Sequence, residues 1–231
     1  MDMIDCLMKA GFTRHESTLY LALCKDGELT GYEASKVSRI SRSNAYLALA
    51  GLVEKGGAFR IDGDVAKYIA VPAHELVFNL RGQLEQVFLY IEENTPLKEA
   101  ASEPYVTITG KAHILNKMCY ILSHAVERIY LSVSHQELES VRQELAHAKA
   151  RGLKVVIITS PPFIMDGVVI YFNEKQPGQI RLIADTSQVL TGEIADAGES
   201  SCLYSMNKNL IQLIKDSLTN EIKLIQLKNK T

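Results

Sequence analysis

Residues 29–57 read LTGYEASKVSRISRSNAYLALAGLVEKGG, and the fold of the first part of the chain follows from this stretch. Thr30 and Glu33 form a T-x-x-E capping box, in which the hydroxyl and the carboxylate each accept a hydrogen bond from a free backbone amide at a helix start. The spacing therefore predicts a short helix over 31–38. The positions of this helix that we expect to be buried are Ala34 and Val37.

A longer helix is predicted directly after the short one. Ser41 is expected to cap it and Gly56-Gly57 to end it, because hydroxyl residues favour helix starts and glycines favour helix ends. Gly51 lies inside this helix, where a glycine costs about 1 kcal/mol relative to alanine. We therefore expect the end of the helix to be loose. Its apolar positions share one face: Ala45, Leu49, Leu52 and Val53.

Helix and hairpin signals flank this segment. Thr13 and Glu16 form another capping box, which opens a helix that ends near Gly27. The apolar positions of that helix are Leu19, Tyr20, Leu23 and Cys24. Downstream, apolar alternation on either side of the DGD sequence at 62–64 predicts a β-hairpin. The order helix, short helix, helix, hairpin is typical of a winged helix-turn-helix, whose third helix usually enters the major groove of DNA.

A long amphipathic helix is predicted over 74–94. Its apolar residues recur in steps of four and three, at positions 76, 80, 84, 87, 88 and 91, and so form one stripe. The economical cover for this stripe is the same helix of a second copy, so we expect a homodimer. Pro96 and the polar residues up to Pro104 are typical of a linker.

The second half of the chain alternates between strand and helix patterns. Strands are predicted over 105–109, 128–133 and 153–159, with helices over 111–125 and 136–150 between them. This βαβαβ order indicates an α/β domain. Further strands are predicted over 168–172, 180–184, 189–194 and 202–204, before a final helix that begins near Asn207.

The composition restricts the classes of function. The 231 residues carry a net charge of −2, so contact with nucleic acid or an anionic membrane requires a local cationic patch. The start MDMIDCLM lacks the basic segment of a secretory signal, and the apolar stretch 153–172 is interrupted by lysine, proline, aspartate and glycine. We therefore expect a cytoplasmic protein with no membrane span. The cysteines and the six histidines lie at no metal-ligand spacing, so neither a metal nor a cofactor is expected.

The sequence resembles the TrmB-like transcriptional regulators. The matching motifs are GFT at 11–13, YLAL at 20–23, LT at 29–30, SRISRSNAY at 38–46, LVEKG at 52–56 and KYIAVP at 67–72, with ITG at 108–110, AVERIYLS at 125–132 and RGLKV at 151–155 in the second half. The resemblance implies an α+β fold class for the first half, a linker helix, and then an α/β phospholipase-D-like regulatory domain. We expect a winged helix-turn-helix DNA-binding domain at 1–73, a dimerisation helix at 74–94 and the regulatory domain at 104–231.

The regulatory domain is expected to be catalytically inactive. The phospholipase D signature is a histidine and a lysine separated by one residue, with an aspartate further on. His147-Ala148-Lys149 formally fits, but it lies within a predicted helix and no aspartate follows at the required distance. Two alternatives stay open: an active phosphodiesterase or nuclease of that superfamily, and a protein-interaction module that binds no DNA.

Cations are concentrated around the predicted helix-turn-helix. Residues 36–60 contain five cations and one acidic residue. Cations bind phosphates, whereas a few polar side chains read base edges. We expect Arg42 and Asn44 to contact bases, since arginine pairs with guanine and asparagine with adenine. The expected phosphate contacts are Lys36, Arg39, Ser41, Ser43 and Tyr46, and the expected wing contacts are Arg60 and Lys67.

These DNA-binding residues also have ordinary structural interpretations. Five cations in 25 residues form a common solvated surface. Asn44 could simply occupy the first turn of a capped helix, and Tyr46 could belong to the core. Asp62 and Asp64 at the wing tip would repel phosphate, which weakens the predicted wing contact.

An effector site is expected at the carboxyl ends of the strands of the second half, where ligands of α/β sheets usually bind. The residues in such positions are Ser132, Ser134, His135, Thr159, Ser160 and Asp185. The alternative is that they form turns, as hydroxyl residues and aspartates at strand ends often do.

Overall fold

The computed structural model describes residues 2–96, 105–195 and 198–228. The chain divides into two compact units, Met1–Lys98 and Glu99–Thr231. Most of the linker expected before Pro104 lies outside the described residues. No helix of the described ranges is both long enough and apolar enough to cross a membrane.

The first unit is a winged helix-turn-helix. Its helices are α1 (Met3–Lys9), α2 (Arg14–Asp26), α3 (Gly31–Ser38), α4 (Arg42–Glu54) and α5 (Ala73–Asn94), and its strands are β1 (Leu29–Thr30), β2 (Ala58–Ile61) and β3 (Lys67–Ala70). The strands form an antiparallel sheet in the order β1-β3-β2, in which β2 and β3 are the wing hairpin. Both predicted capping boxes form, at the starts of α2 and α3.

Three details of the first unit differ from the sequence-based expectations. Val37 is 49% exposed, because α3 packs through Gly31, Ala34 and Ser35 and leaves Val37 at the solvent edge. Cys24 is exposed as well. Ser41 stands at the cap position of α4, but its hydroxyl caps no backbone amide in the described structure.

The second unit is an α/β domain. Its helices are α6 (Lys111–His124), α7 (His135–Ser140), α8 (Arg142–Ala150) and α9 (Lys208–Lys228). Its strands are β4 (Tyr105–Thr109), β5 (Arg128–Val133), β6 (Lys154–Thr159), β7 (Val169–Phe172), β8 (Gln179–Ala184), β9 (Gln188–Glu193) and β10 (Ser201–Ser205). The sheet order is β4-β10-β9-β8-β5-β6-β7, in which β5, β6 and β7 are parallel and the other pairs are antiparallel.

The expected single helix over 136–150 is in fact two helices. Val141 leaves the helical region, with φ −120° and ψ 14°, and its side chain is buried. Leu138 of α7 and Leu145 of α8, on either side of the break, are buried as well. Alternate residues of the strands then face two apolar layers, one beneath α6 and α8 and the other beneath α9.

Candidate nucleic-acid interface

α4 has one face in the core of the first unit and one face in solvent. The buried positions are Ala45, Ala48, Leu49 and Leu52. The exposed positions are Arg42, Ser43, Asn44, Tyr46, Leu47 and Ala50. The first two turns of α4 thus present polar side chains outward from a rigid support, as a recognition helix requires.

Arg42 of α4 and Lys36 of α3 both contact the aromatic ring of Tyr32. The guanidinium carbon of Arg42 is 4.4 Å and the Lys36 ammonium 4.6 Å from the ring centroid of Tyr32, both within cation–π range. The Lys36 ammonium, followed by the Arg42 guanidinium, lowers the pKa of the Tyr32 phenol. Sequence reasoning missed Tyr32, although its spacing of four from Lys36 on a predicted helix is a usable signal.

The turn between α3 and α4 adds a third cation to this surface. Arg39 ends α3 in the left-handed region, at φ 58°, and its side chain is exposed. Among the residues that the structure describes, no acidic side chain pairs with Lys36, Arg39 or Arg42. We call these three residues the cationic patch.

The other predicted cations are already paired. Lys67 lies 2.7 Å from Glu28, and Arg60 lies 3.0 Å from Asp62 at the wing. Both pairs are exposed, and exposed pairs contribute little stability, so phosphate could displace them. The wing contacts predicted for Arg60 and Lys67 stay predictions. Because both residues are paired with carboxylates, they carry less free positive charge than the cationic patch.

Two hydrogen bonds from Lys55 attach the end of α4 to neighbouring segments, and the looseness expected there stays a prediction. Lys55 donates to the Glu16 carboxylate at 2.7 Å and to the carbonyl of Gly11 at 2.9 Å. Gly51 leaves space for the Glu16 carboxylate, because a Cβ at this position would lie 2.3 Å from Oε1 of Glu16. Burial raises the pKa of the Glu16 carboxyl, but hydrogen bonds from Lys55 and Thr13 outweigh it and leave the pKa below its usual value.

Tyr46 has a packing role beside its predicted phosphate contact. Its ring is 49% exposed, and one edge lies against the backbone of Gly31, where a Cβ would come within 2.4 Å of it. The ring therefore fixes the start of α3 against α4. Its predicted DNA contact stays a prediction.

α5 carries an apolar surface that the first unit does not cover. Leu76 is buried at its start, whereas Leu84, Val87, Phe88 and Ile91 of the predicted stripe are exposed. A groove of about 520 Å³ runs along this helix; it is lined by Ala10, Val77, Leu80, Arg81, Leu84, Glu85 and Phe88.

The expected effector residues of β5 and β6 lie at neighbouring strand ends. Ser134 is buried and donates to the Glu137 carboxylate, while the Ser160 hydroxyl accepts from the backbone amide of Lys175 at 3.0 Å. Ser132 is buried too. Within the described ranges, Nδ1 of His135 and Oγ1 of Thr159 are buried without a hydrogen-bond partner.

Asp185 does not join these residues, which corrects the expectation of one shared site. β8 runs antiparallel to β5, so its carboxyl end lies beside Arg128 at the opposite edge of the sheet. The Asp185 carboxylate accepts from the amides of Val126, Glu127 and Arg128 at 2.8–2.9 Å. Burial raises the pKa of this carboxyl, but the three hydrogen bonds outweigh it and hold the pKa below its usual value. Asp185 therefore stabilises the backbone at 126–128 that leads into β5.

The formal phospholipase D match lies on a helix surface. His147 and Lys149 are both exposed on α8. Within the described ranges, no three side chains of histidine, cysteine, aspartate or glutamate come together as a metal site would require.

Two family models match the chain. Residues 7–74 match the model described as sugar-specific transcriptional regulator TrmB, and residues 105–221 match the model described as the EBD N-terminal subdomain of transcriptional regulator TrmB. YrhO of Bacillus subtilis is 29% identical over 99% of this chain and 87% of its own length.

Two further proteins are similar to this chain. TrmBL1 of Pyrococcus furiosus, an HTH-type sugar-sensing transcriptional regulator, is 24% identical over 69% of this chain and 48% of its own length. The solved structure of TrmBL2, an archaeal chromatin protein, covers 96% of this chain and 97% of its own, with 18% identity and a TM-score of 0.49. The family models match both units, and the second spans more than half of the sequence by itself, so the chain belongs to the TrmB family of transcriptional regulators.

Proposed function

We propose that the protein is a dimeric DNA-binding transcriptional regulator that inserts α4 of each copy into the major groove of double-stranded DNA. The observation that carries this proposal is the cationic patch, which has no acidic partner in the described structure, beside the exposed polar start of α4. Such cations supply affinity for phosphates, and the adjacent polar side chains supply sequence preference.

The proposed roles follow from the positions of the side chains. Arg42 and Asn44, exposed on the first turn of α4, contact base edges. The proposed phosphate contacts are Lys36, Arg39, Ser41, Ser43 and Tyr46, with a weaker wing contribution from Arg60 and Lys67.

The dimer is proposed to form through α5. Its exposed leucine, valine, phenylalanine and isoleucine side chains form a stripe that can pack against the same stripe of a second copy. A two-fold pair of this kind presents two recognition helices, so its DNA site consists of two inverted half-sites. We assign DNA binding to residues 1–73, dimerisation to residues 74–94 and regulation to residues 104–231.

The second unit is proposed to bind a small-molecule effector and to catalyse nothing. The buried unpartnered atoms of His135 and Thr159, close to Ser132, Ser134 and Ser160 along the chain, support a polar ligand at these strand ends. Sugars are the first class to test, since the family description and TrmBL1 both refer to them. A ligand changes DNA affinity only if it binds the two arrangements of the dimer differently.

Selection of duplexes from a random-sequence pool by the full chain tests the proposed function. We expect enrichment of an inverted repeat whose half-sites are separated by about 10 base pairs or a multiple. Failure to retain any duplex at low salt would favour the protein-interaction alternative. Phosphodiester cleavage that survives replacement of His147 would show that the second unit is an enzyme.

A further inference from the structure

Tyr32 is an exposed aromatic residue outside the set that is proposed to touch DNA. It lies at the second position of α3, is 39% exposed and contributes little to the apolar core of the first unit. Its ring nevertheless contacts two members of the cationic patch, one from its own helix and one from α4.

Arg42 stands in an unfavourable electrostatic position without this ring. It is the first residue of α4, where the helix dipole repels a cation, and the first turn of α4 contains no acidic residue. Lys36 adds a second positive charge on the same ring. The electron-rich face of Tyr32 attracts both charges and so offsets their repulsion.

We propose that Tyr32 is a positioning residue for DNA binding, which holds the side chains of Arg42 and Lys36 over the junction of α3 and α4 before the duplex arrives. The proposal rests on the proposed DNA-binding function. A free arginine or lysine side chain samples many rotamers, and ordering it on binding weakens affinity. A ring that orders two such side chains in advance removes part of that loss.

Replacement of the ring tests this role in the full chain. Tyr32→Leu and Tyr32→Gln, which lack the aromatic face, are expected to bind a duplex selected by the wild-type protein about 2- to 10-fold more weakly. Tyr32→Phe keeps the face and loses the hydroxyl, so it is expected to restore most of that affinity. Cooperative thermal unfolding at an unchanged midpoint identifies the variants that keep the fold.

One readout checks that no charge contact is lost, and a second separates positioning from loss of a direct contact. The slope of log affinity against log salt is expected to be the same for Tyr32→Leu as for wild type, because the tyrosine is neutral and the number of cations that meet phosphates is unchanged. In an Arg42→Ala background, Tyr32→Leu is expected to have a smaller effect than in the wild type, since one of its two partners is absent.

The outcomes distinguish the two proposals. If Arg42→Ala weakens binding while both ring-less Tyr32 variants bind as tightly as wild type or more tightly, the positioning role is overturned and the DNA-binding function stands. Full additivity of Tyr32→Leu and Arg42→Ala would overturn it as well. If the wild-type protein selects no duplex from the random-sequence pool, the DNA-binding function itself fails.

Discussion

Gly51 is a small residue with a large effect on the position of α4. The Glu16 carboxylate occupies the space in which a side chain at position 51 would begin, and Lys55 completes the contact from the end of the same helix. The glycine thus weakens α4 as an isolated helix and strengthens its attachment to α2.

Gly51→Ala is expected to destabilise the protein despite the higher helix propensity of alanine. The new Cβ would push the end of the Glu16 side chain away from Lys55. Loss of that hydrogen bond costs about 1.5–3 kcal/mol in the free energy of unfolding, and the higher helix propensity of alanine offsets about 1 kcal/mol of it. Denaturant unfolding measures this loss. In a Glu16→Ala background the same substitution is expected to be neutral or stabilising, because the obstacle is gone; a loss of equal size in both backgrounds would refute the explanation.

Glu16 also predicts a dependence of stability on pH. Its pKa in the folded protein is lower than its usual value of 4.5. The carboxylate therefore contributes its full stabilisation above that usual value and loses it as the pH falls through the lower, folded value.

The stability advantage of wild type over Glu16→Gln is expected to be about 1–3 kcal/mol near neutral pH, the size of a hydrogen bond to a charged group. This advantage should stay constant down to mildly acidic pH and shrink below the usual carboxyl value. Unfolding curves of both proteins across the acidic range provide the measurement. An advantage that grows as the pH falls would have the wrong sign for a lowered pKa.

Among the helices and strands, short sequence motifs predicted where helices begin better than they predicted where a helix is interrupted. α2 and α3 begin at capping boxes, which consist of neighbouring residues and are visible in the sequence. α1 was missed because it has only 7 residues, too few to show a repeated pattern of apolar positions. The break at Val141 was missed because it contains neither glycine nor proline.

The candidate site shows the same limit. The exposed start of α4 followed from its periodicity, whereas the Tyr32 ring contact with Arg42 joins two helices and depends on how they pack. The location of Asp185 depends on β8 running antiparallel to β5, and an apolar strand pattern does not show whether a strand pairs parallel or antiparallel. Pairings between distant segments, such as Lys55 with Glu16, are likewise set by tertiary packing.

α5 provides a test of the proposed dimer. Leu84→Asp places a charge within the apolar stripe of both copies. Leu84 is 42% exposed in one copy, so burial of the two leucines contributes about 1–3 kcal/mol to association, and the two carboxylates would weaken it further. Sedimentation equilibrium is expected to show a dimer for wild type and a monomer for the variant.

Gln86→Asp is the matched control for that variant, since residue 86 lies on α5 but outside the stripe at 84, 87, 88 and 91. It is expected to remain dimeric. A Leu84→Asp protein that still sediments as a dimer would exclude this face of α5 as the interface.

The charge pattern of the chain bears on how two copies would bind DNA together. The chain as a whole is slightly negative, so a positive field exists only where cations lack acidic neighbours, as in the cationic patch. Joining two such patches through α5 would make the second half-site contact intramolecular and thus raise affinity for an inverted repeat without any new contact.

The central claim is that Arg42 of α4 contacts DNA. Fluorescence anisotropy with a labelled duplex selected by the wild-type protein tests it, with Lys223→Ala on α9 as a control that removes one exposed cation from the second unit. Arg42→Ala is expected to lose about 30-fold or more in affinity, because each of the two copies loses one base contact of about 1–3 kcal/mol, while Lys223→Ala binds like wild type. Binding of folded Arg42→Ala protein with wild-type affinity would contradict the account.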